Sequence, residues 1–269
     1  VSTIRLLLSI ITRHRALTWQ FALRNLELRH KGSHLGLIWS ILHPLVMLTL
    51  YVLVFGYIFG GSFGVRPGET RADYGLGIFL GLAIYNFISD VLGNAAGLIS
   101  DNTNFVKKVV FPLEVLPAAF VISCFINLVI TLGLVFLGLF LFGRWPGPGS
   151  LMLLGILLPV FMLALGIAWL ISALGVFIKD IRNMLPALAT GLMFASAVFY
   201  STSRIPAPAW KVLRLNPLIH AINNARSVVL WDQSPDLNGL AYLYAMSLLA
   251  MLGGLWAFNR LRPAFADVM

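Results

Sequence analysis

Long apolar runs broken by short polar stretches organise this chain, and six of them approach the roughly 20 residues a helix needs to cross a hydrocarbon core. They cover about 37–60, 76–99, 115–142, 151–177, 184–200 and 239–258. The third and fourth are separated by "GRWPGPGS", whose glycines and prolines force a tight reversal. The fifth, "LPALATGLMFASAVFY", is short and rich in small residues. No stretch outside the runs exceeds 201–238, which is too short for a soluble domain of its own. The pattern predicts an all-α integral membrane protein, residues 1–269 forming one transmembrane domain with six spans.

A different pattern governs the arm before the first run, residues 1–36. From Leu17 to Lys31 helical spacing gathers Trp19, Ala22, Leu23 and Leu26 on one stripe and Leu17, Phe21 and Leu28 on another. Gln20, Arg24, Glu27 and Lys31 lie between them. Such a helix suits the membrane interface, one stripe in lipid and the other against protein. "RIPAPAWKVLRLNPLIHAINNARSVVLW" on the opposite side is also no ordinary loop. Asn216-Pro217 is a helix start, and Leu218, Ile222, Ala225 and Val229 then recur at helical spacing, with His220, Asn223, Asn224 and Arg226 elsewhere. An apolar-faced helix behind a proline-rich hinge re-enters the membrane partway and gates an exit.

Composition agrees with the pattern: 59% of residues are hydrophobic and 11% charged, against about a quarter charged in soluble domains. The net charge of +9 has no long polar face on which to gather, which excludes nucleic acid and places the basic residues beside anionic lipid headgroups. With both termini on the cytoplasmic side, the inner segments hold 12 of the 19 lysines and arginines and the outer segments 7. The lone cysteine, Cys124, packs as a small hydrophobe, and "IRLLLSIITRHR" lacks the cleavage-site pattern of a signal peptide. No lysine directly follows a glycine, so the phosphate-cradling G-x-x-x-x-G-K-[ST] loop is absent.

Few residues carry chemistry. His30 and His34 stand four apart, but Gly32 and Ser33 break the helix between them, and a solvated basic elbow is favoured over a metal site. His43 and Asp90 lie inside spans, where ionisable groups are functional candidates or line a watery path. Asn86, Asn94 and Asn127 are expected to bond across helices, and the pairs Gly56/Gly60, Gly77/Gly81 and Gly93/Gly97 to permit close packing. Aromatics cluster as Tyr51, Phe55, Tyr57 and Phe59, then Phe194, Phe199 and Tyr200. They form either an interfacial belt or a ring of faces on which sugars slide in transit.

Four stretches in order carry a family resemblance: "RHKGSHLGLIWSILHPLVMLTLYVLVFGYIF", "NTNFVKKVVFPLEVLP", "FIKDIRNMLPALATGLMFASAVFYS" and "LNPLIHAINNAR". Together the chain resembles the permease subunits of ATP-binding-cassette exporters for lipid-linked polysaccharides, which include O-antigen, teichoic acid and capsule exporters. The closing "FADVM" is most like the O-antigen branch. The resemblance implies that residues 101–111 are a coupling helix seated in a groove of an ATP-binding subunit. Asp101 to Asn104, Asn102 included, would cap it, Phe105, Val106 and Val109 would fill the groove, and Lys107 and Lys108 would meet an acidic rim or headgroups. Pro112 would start the third span. Residues 17–31 become an interface helix, with Arg24, Arg29 and Lys31 near a lipid diphosphate. Residues 179–183 become a second cytoplasmic turn and 201–230 outer gate helices, with Trp210, Asn216, Pro217 and Ile222.

It further implies a homodimer of permeases over two ATP-binding subunits in a bacterial cytoplasmic membrane. ATP and magnesium sit in the partner and no cofactor in this chain, while a polyisoprenyl-diphosphate-linked glycan passes along the two-fold axis. The competing readings are a lipid or drug exporter of the same architecture, an ion-coupled carrier using Asp90 and His43, and an intramembrane enzyme. The last lacks any paired-carboxylate, Ser-His or metal constellation.

Overall fold

The computed structural model describes residues 7, 10, 12–29, 36–65, 67–107 and 111–269. Lys31, Lys108 and Val109, expected to act at the membrane surface and the docking site, lie outside the described residues, as do His30 and His34. Among those described the chain is helical without strands. In order the helices are α1 (Arg15–Arg29), α2 (Trp39–Tyr51), α3 (Arg71–Ala95), α4 (Thr103–Lys107), α5 (Val115–Leu141), α6 (Leu153–Phe177), α7 (Ile181–Ala195), α8 (Ala207–Leu213), α9 (Pro217–Val229), α10 (Leu237–Leu261) and α11 (Phe265–Val268). Beyond Tyr51, α2 continues as a π-helical segment, Val52–Ile58.

Five stretches among the described residues are long and apolar enough to cross a membrane: Trp39–Ile58, Arg71–Ala95, Val115–Leu141, Pro148–Phe177 and Leu237–Val268. The protein is therefore a multi-pass membrane protein. α3 is the most enclosed of the five, and its buried face holds Leu76, Leu80, Ile84 and Ile88 at helical repeat. Its start is fixed locally by a capping box, Thr70 accepting from the Asp73 amide at 3.2 Å while Asp73 accepts from the Thr70 amide at 2.8 Å. α6 and α10 are the closest pair. A methyl group added at Gly254 would stand 2.1 Å from the Gly166 carbonyl oxygen, so both helices need a bare backbone at their crossing.

The fifth expected span, 184–200, differs. α7 has fifteen residues, about 22 Å of helix, against a core of about 30 Å. It ends at Ala195, and the chain runs irregularly to α8 and α9 before α10 begins. Apolar composition alone could not show this stop, which depends on contacts described below.

The alternating spans define two ends of the bundle. The near end carries α1, α4 and the C-terminal turn, joined through Phe21, Phe105 and Phe111 and through Arg262 to Glu114 at 3.0 Å. A second apolar cluster, with Ile99, Leu116, Trp169 and Phe258, lies beneath that end. α1 packs along α5, but its stripes divide otherwise than spacing suggests. Thr18 and Ala22 are buried, while Trp19 and Leu23 of the expected Ala22 stripe face outward. The Thr18 hydroxyl escapes a polar penalty by bonding the His14 carbonyl at 2.9 Å, which lets a threonine serve as a packing residue.

Candidate functional site

At the near end, a 3-10 turn (Ser100–Asn102) runs straight into α4 and makes a short knuckle. Its polar start does not cap α4 as expected. Asp101 instead accepts two bonds at 2.9 Å from Arg182, at the start of α7, and Asn102 donates to the Leu98 carbonyl at 3.0 Å. Arg182 and Asp101 are both more than half exposed, so their pair positions the two turns without adding much stability. Phe105 turns inward. Its ring meets Phe21 edge-on at 5.6 Å and Phe111 at 4.7 Å, and Phe21 meets Phe111 at 5.4 Å. This triad seats the knuckle on α1, leaving Thr103, Asn104 and Lys107 exposed and Phe105 and Val106 half-buried beside a shallow groove. Arg24 caps the triad's flank, its guanidinium 5.5 Å from the Phe21 ring centre.

Arg29, at the end of α1, is committed to Asp90 on α3 through a close ion pair. Burial pulls the Arg29 guanidinium down, but the Asp90 charge and hydrogen bond pull it up further and keep it above its ordinary range. This pair joins α1 to α3, a link no spacing rule could supply across 61 residues.

Five of the seven singled-out aromatics form one ladder. Tyr51 stacks on Phe55 at 5.8 Å, and Phe55 meets Phe59 at 5.8 Å and Phe199 at 5.5 Å. Phe199 in turn meets Phe194 at 6.3 Å. These distances fit offset and tilted aromatic contacts. Phe59 and Phe194, at two of its three ends, remain 70% and 58% exposed and so present ring surface outward. Tyr57 is exposed and outside the ladder, and Tyr200 is held by its hydroxyl to the Phe194 carbonyl.

Where α7 stops, its carbonyls find partners in other elements. Asn216 Nδ2 donates to the Ala195 carbonyl at 3.1 Å while its Oδ1 accepts the Leu218 amide at 3.0 Å, capping α9 with Pro217 in first position. Tyr74 Oη donates to the Phe199 carbonyl at 2.9 Å. Arg226 supplies the rest: Nη1 to the Ala197 carbonyl at 2.9 Å, Nη2 to that of Val198, and Nε across to the Gly77 carbonyl on α3 at 2.9 Å. Its guanidinium lies 4.4 Å from the Phe63 ring centre, and its side chain is 1% exposed. Ala197 adopts φ +53°, a left-handed turn that costs an L-residue about 1 kcal/mol and that this bonding holds in place.

The sequence reading placed Arg226 on a polar face. The available signal was its position four after Ile222, on the same apolar stripe, opposite the bare pair Gly77/Gly81. A methyl at Gly81 would sit 2.6 Å from Arg226 Nη2. Ile222 is fully buried, and Trp210 meets His220 at 6.3 Å, which itself meets Tyr242 at 5.3 Å.

The family model for the ABC-2 type transporter matches residues 16–230, from α1 through the end of α9. The chain belongs to that family. It is 26% identical over 257 residues to the O-antigen export system permease protein RfbA of Myxococcus xanthus, covering 95% of this chain and 96% of that protein. It is 25% identical over 237 residues to the polysialic acid transport protein KpsM of Escherichia coli, covering 87% and 88%. A daunorubicin resistance ABC transporter permease protein, DrrB1 of Streptomyces coeruleorubidus, is 25% identical over 203 residues, covering 70% and 69%.

In this ABC-2 type transporter the matched range takes in the knuckle, the ladder and the α8–α9 segment, whereas α10 and the Arg262 contact fall beyond it. Neither Asn86 nor Asn127 bonds across helices, and Asn94 donates to its own helix, at the Asp90 carbonyl.

Proposed function

We propose that this ABC-2 type transporter is the permease subunit of an ATP-driven exporter of polyisoprenyl-diphosphate-linked polysaccharide, with O-antigen as the foremost cargo. The observation that carries this reading is the near end-to-end similarity to an O-antigen export permease, over 95% of this chain. The ladder from Tyr51 to Phe194 supports it, since ring faces hold the CH surface of sugars without deep traps. The drug-permease reading is weaker because its similarity spans a smaller part of the chain.

Two copies of the chain would stand over two ATP-binding subunits, which hold ATP and magnesium. The near end faces the cytoplasm, in keeping with the 12 of 19 basic residues counted there, and the membrane is the bacterial cytoplasmic one. Closure of the ATPase pair pushes on the knuckle, and the triad passes that displacement into α1. The α7–α9 region is the bistable outer element that opens. Arg24 and Lys31 would meet the lipid diphosphate, while Arg29 would have to leave Asp90 to do so.

Docking is tested by the double substitution Phe105→Asp with Val109→Asp. Phe105 holds the knuckle in shape, so a carboxylate in the triad should unseat the docking surface. We expect co-purification of the ATP-binding subunit to fall about tenfold or more, as for a lost interface hot spot. Retained binding and unchanged ATP turnover would count against the docking surface. In the ladder, Phe55→Ala and Phe199→Ala should each slow glycan export roughly fivefold, matching about 1 kcal/mol of ring contact, with assembly intact. Wild-type flux in both would make these rings an interfacial belt.

A further inference from the structure

Halfway along α3, the most enclosed helix, Asn86 is exposed, and so is His43 near the start of α2. Hydrocarbon satisfies neither side chain, so both must face water, ligand or protein. Both line a cavity of about 430 Å³ between α2, α3 and α5 that Asn127, Trp39 and the Arg29–Asp90 pair also line. Among the described residues the side chains of His43, Asn86 and Asn127 have no hydrogen-bond partner. Leaving such groups dry at membrane depth is unfavourable, because their lost hydration is not replaced by any hydrogen bond.

The cavity's charge selects what can fill it. Among the described residues lining it Arg29 is the one lysine or arginine and is neutralised by Asp90, so an arriving phosphate meets no unpaired guanidinium or ammonium there and faces a carboxylate. A sugar ring meets a better match. Each asparagine offers both donor and acceptor, Asp90 accepts from hydroxyls, and Trp39 adds an aromatic wall. The volume lies within the range of about 300–1,000 Å³ typical of small-molecule pockets.

We infer that this cavity is a saccharide subsite, which takes sugar rings of the cargo while the lipid diphosphate stays outside it. The inference rests on the export reading and assigns to that pathway a site within one protomer, bordered at one wall by Tyr51 of the aromatic ladder. It also gives His43, Asn86 and Asn127 a joint role in place of cross-helix bonding.

The test uses the assembled transporter with its ATP-binding subunit in lipid nanodiscs, carrying Met47→Cys in a Cys124→Ala background. Met47 lines the cavity without a hydrogen-bonding side chain, so its thiol reports occupancy through the rate of maleimide alkylation. Three probes are compared: the lipid-linked glycan extracted from the producing cells, the saccharide released from it by mild acid, and the sugar-free polyisoprenyl diphosphate. The glycolipid and the free saccharide should slow alkylation on the order of tenfold, as burial of a ligand in a pocket requires, and the diphosphate should not. Asn127→Leu, which keeps the volume, should abolish that protection while alkylation without ligand stays fast. Equal protection by the diphosphate alone would make this a phosphate site, and absence of protection by any probe would make it a water-filled void. Either result overturns the subsite. ATP-driven glycan export by the same preparation judges the export reading separately.

Discussion

Methionine at position 226 should strip the end of this transporter opposite α1 and α4 of its fastening. The substitution keeps an unbranched side chain of similar length but takes the guanidinium donors from the carbonyls of Ala197 and Val198 and the second donor from that of Gly77, which keeps only its helical bond. A hydrogen bond to a charged group contributes about 1.5–3 kcal/mol, and the acceptors here stay buried when the donor goes. The expected loss is about 3–6 kcal/mol, in the range reserved for broken buried networks. Heated in detergent and followed by size-exclusion chromatography, Arg226→Met should lose its monodisperse peak on the order of 10 °C below the parent. Arg226→Lys should recover only part, because one ammonium cannot reach three carbonyls in a plane or replace the guanidinium over Phe63. A melting point equal to the parent's in Arg226→Met would remove the keystone role of this residue.

Arg262→Met should act at the other end. Glu114 has a side chain only 5% exposed, and Arg262 Nη1 donates to it at 3.0 Å while Nη2 reaches the Phe111 carbonyl at 3.3 Å. The same glutamate's carbonyl accepts from Trp169 Nε1 at 3.0 Å, so three helices converge on it. Removing the arginine leaves an uncompensated carboxylate. The cost is about 2 kcal/mol, the range for broken buried pairs discounted because Arg262 is about one third exposed. Phe111 belongs to the triad under the knuckle, so the larger effect should be mechanical: more ATP hydrolysed per glycan exported, with the complex still assembled. Adding Glu114→Gln should restore much of the stability without restoring the coupling ratio. If the single variant matched the parent in both quantities, the strut from knuckle to α10 would have no function.

How far the candidate site could be read along the chain varied with the range of the interactions involved. Phe55 and Phe59 lie four apart, so half of the ladder was visible as a helical repeat. That Phe199 completes it, 144 residues after Phe55, was not. The knuckle's place was legible from "SDNTNFVKKVVFP" because a polar break between two apolar runs is a local signal. Its construction was not, since Asp101 turned to Arg182 and Phe105 to Phe21, both distant in sequence. The arm's stripes were misdrawn for the same reason, as spacing finds faces but cannot say which face a neighbour covers.

By itself, the order of residues determined the helical class, the long apolar spans and several helix starts. Transfer into a bilayer is set by local composition, and caps such as Thr70–Asp73 and Asn216–Pro217 act within a turn. Tertiary structure alone decided that α7 ends at Ala195. A helix can end at membrane depth only where its freed carbonyls are satisfied, and the donors that do so, Tyr74, Asn216 and Arg226, come from distant parts of the chain.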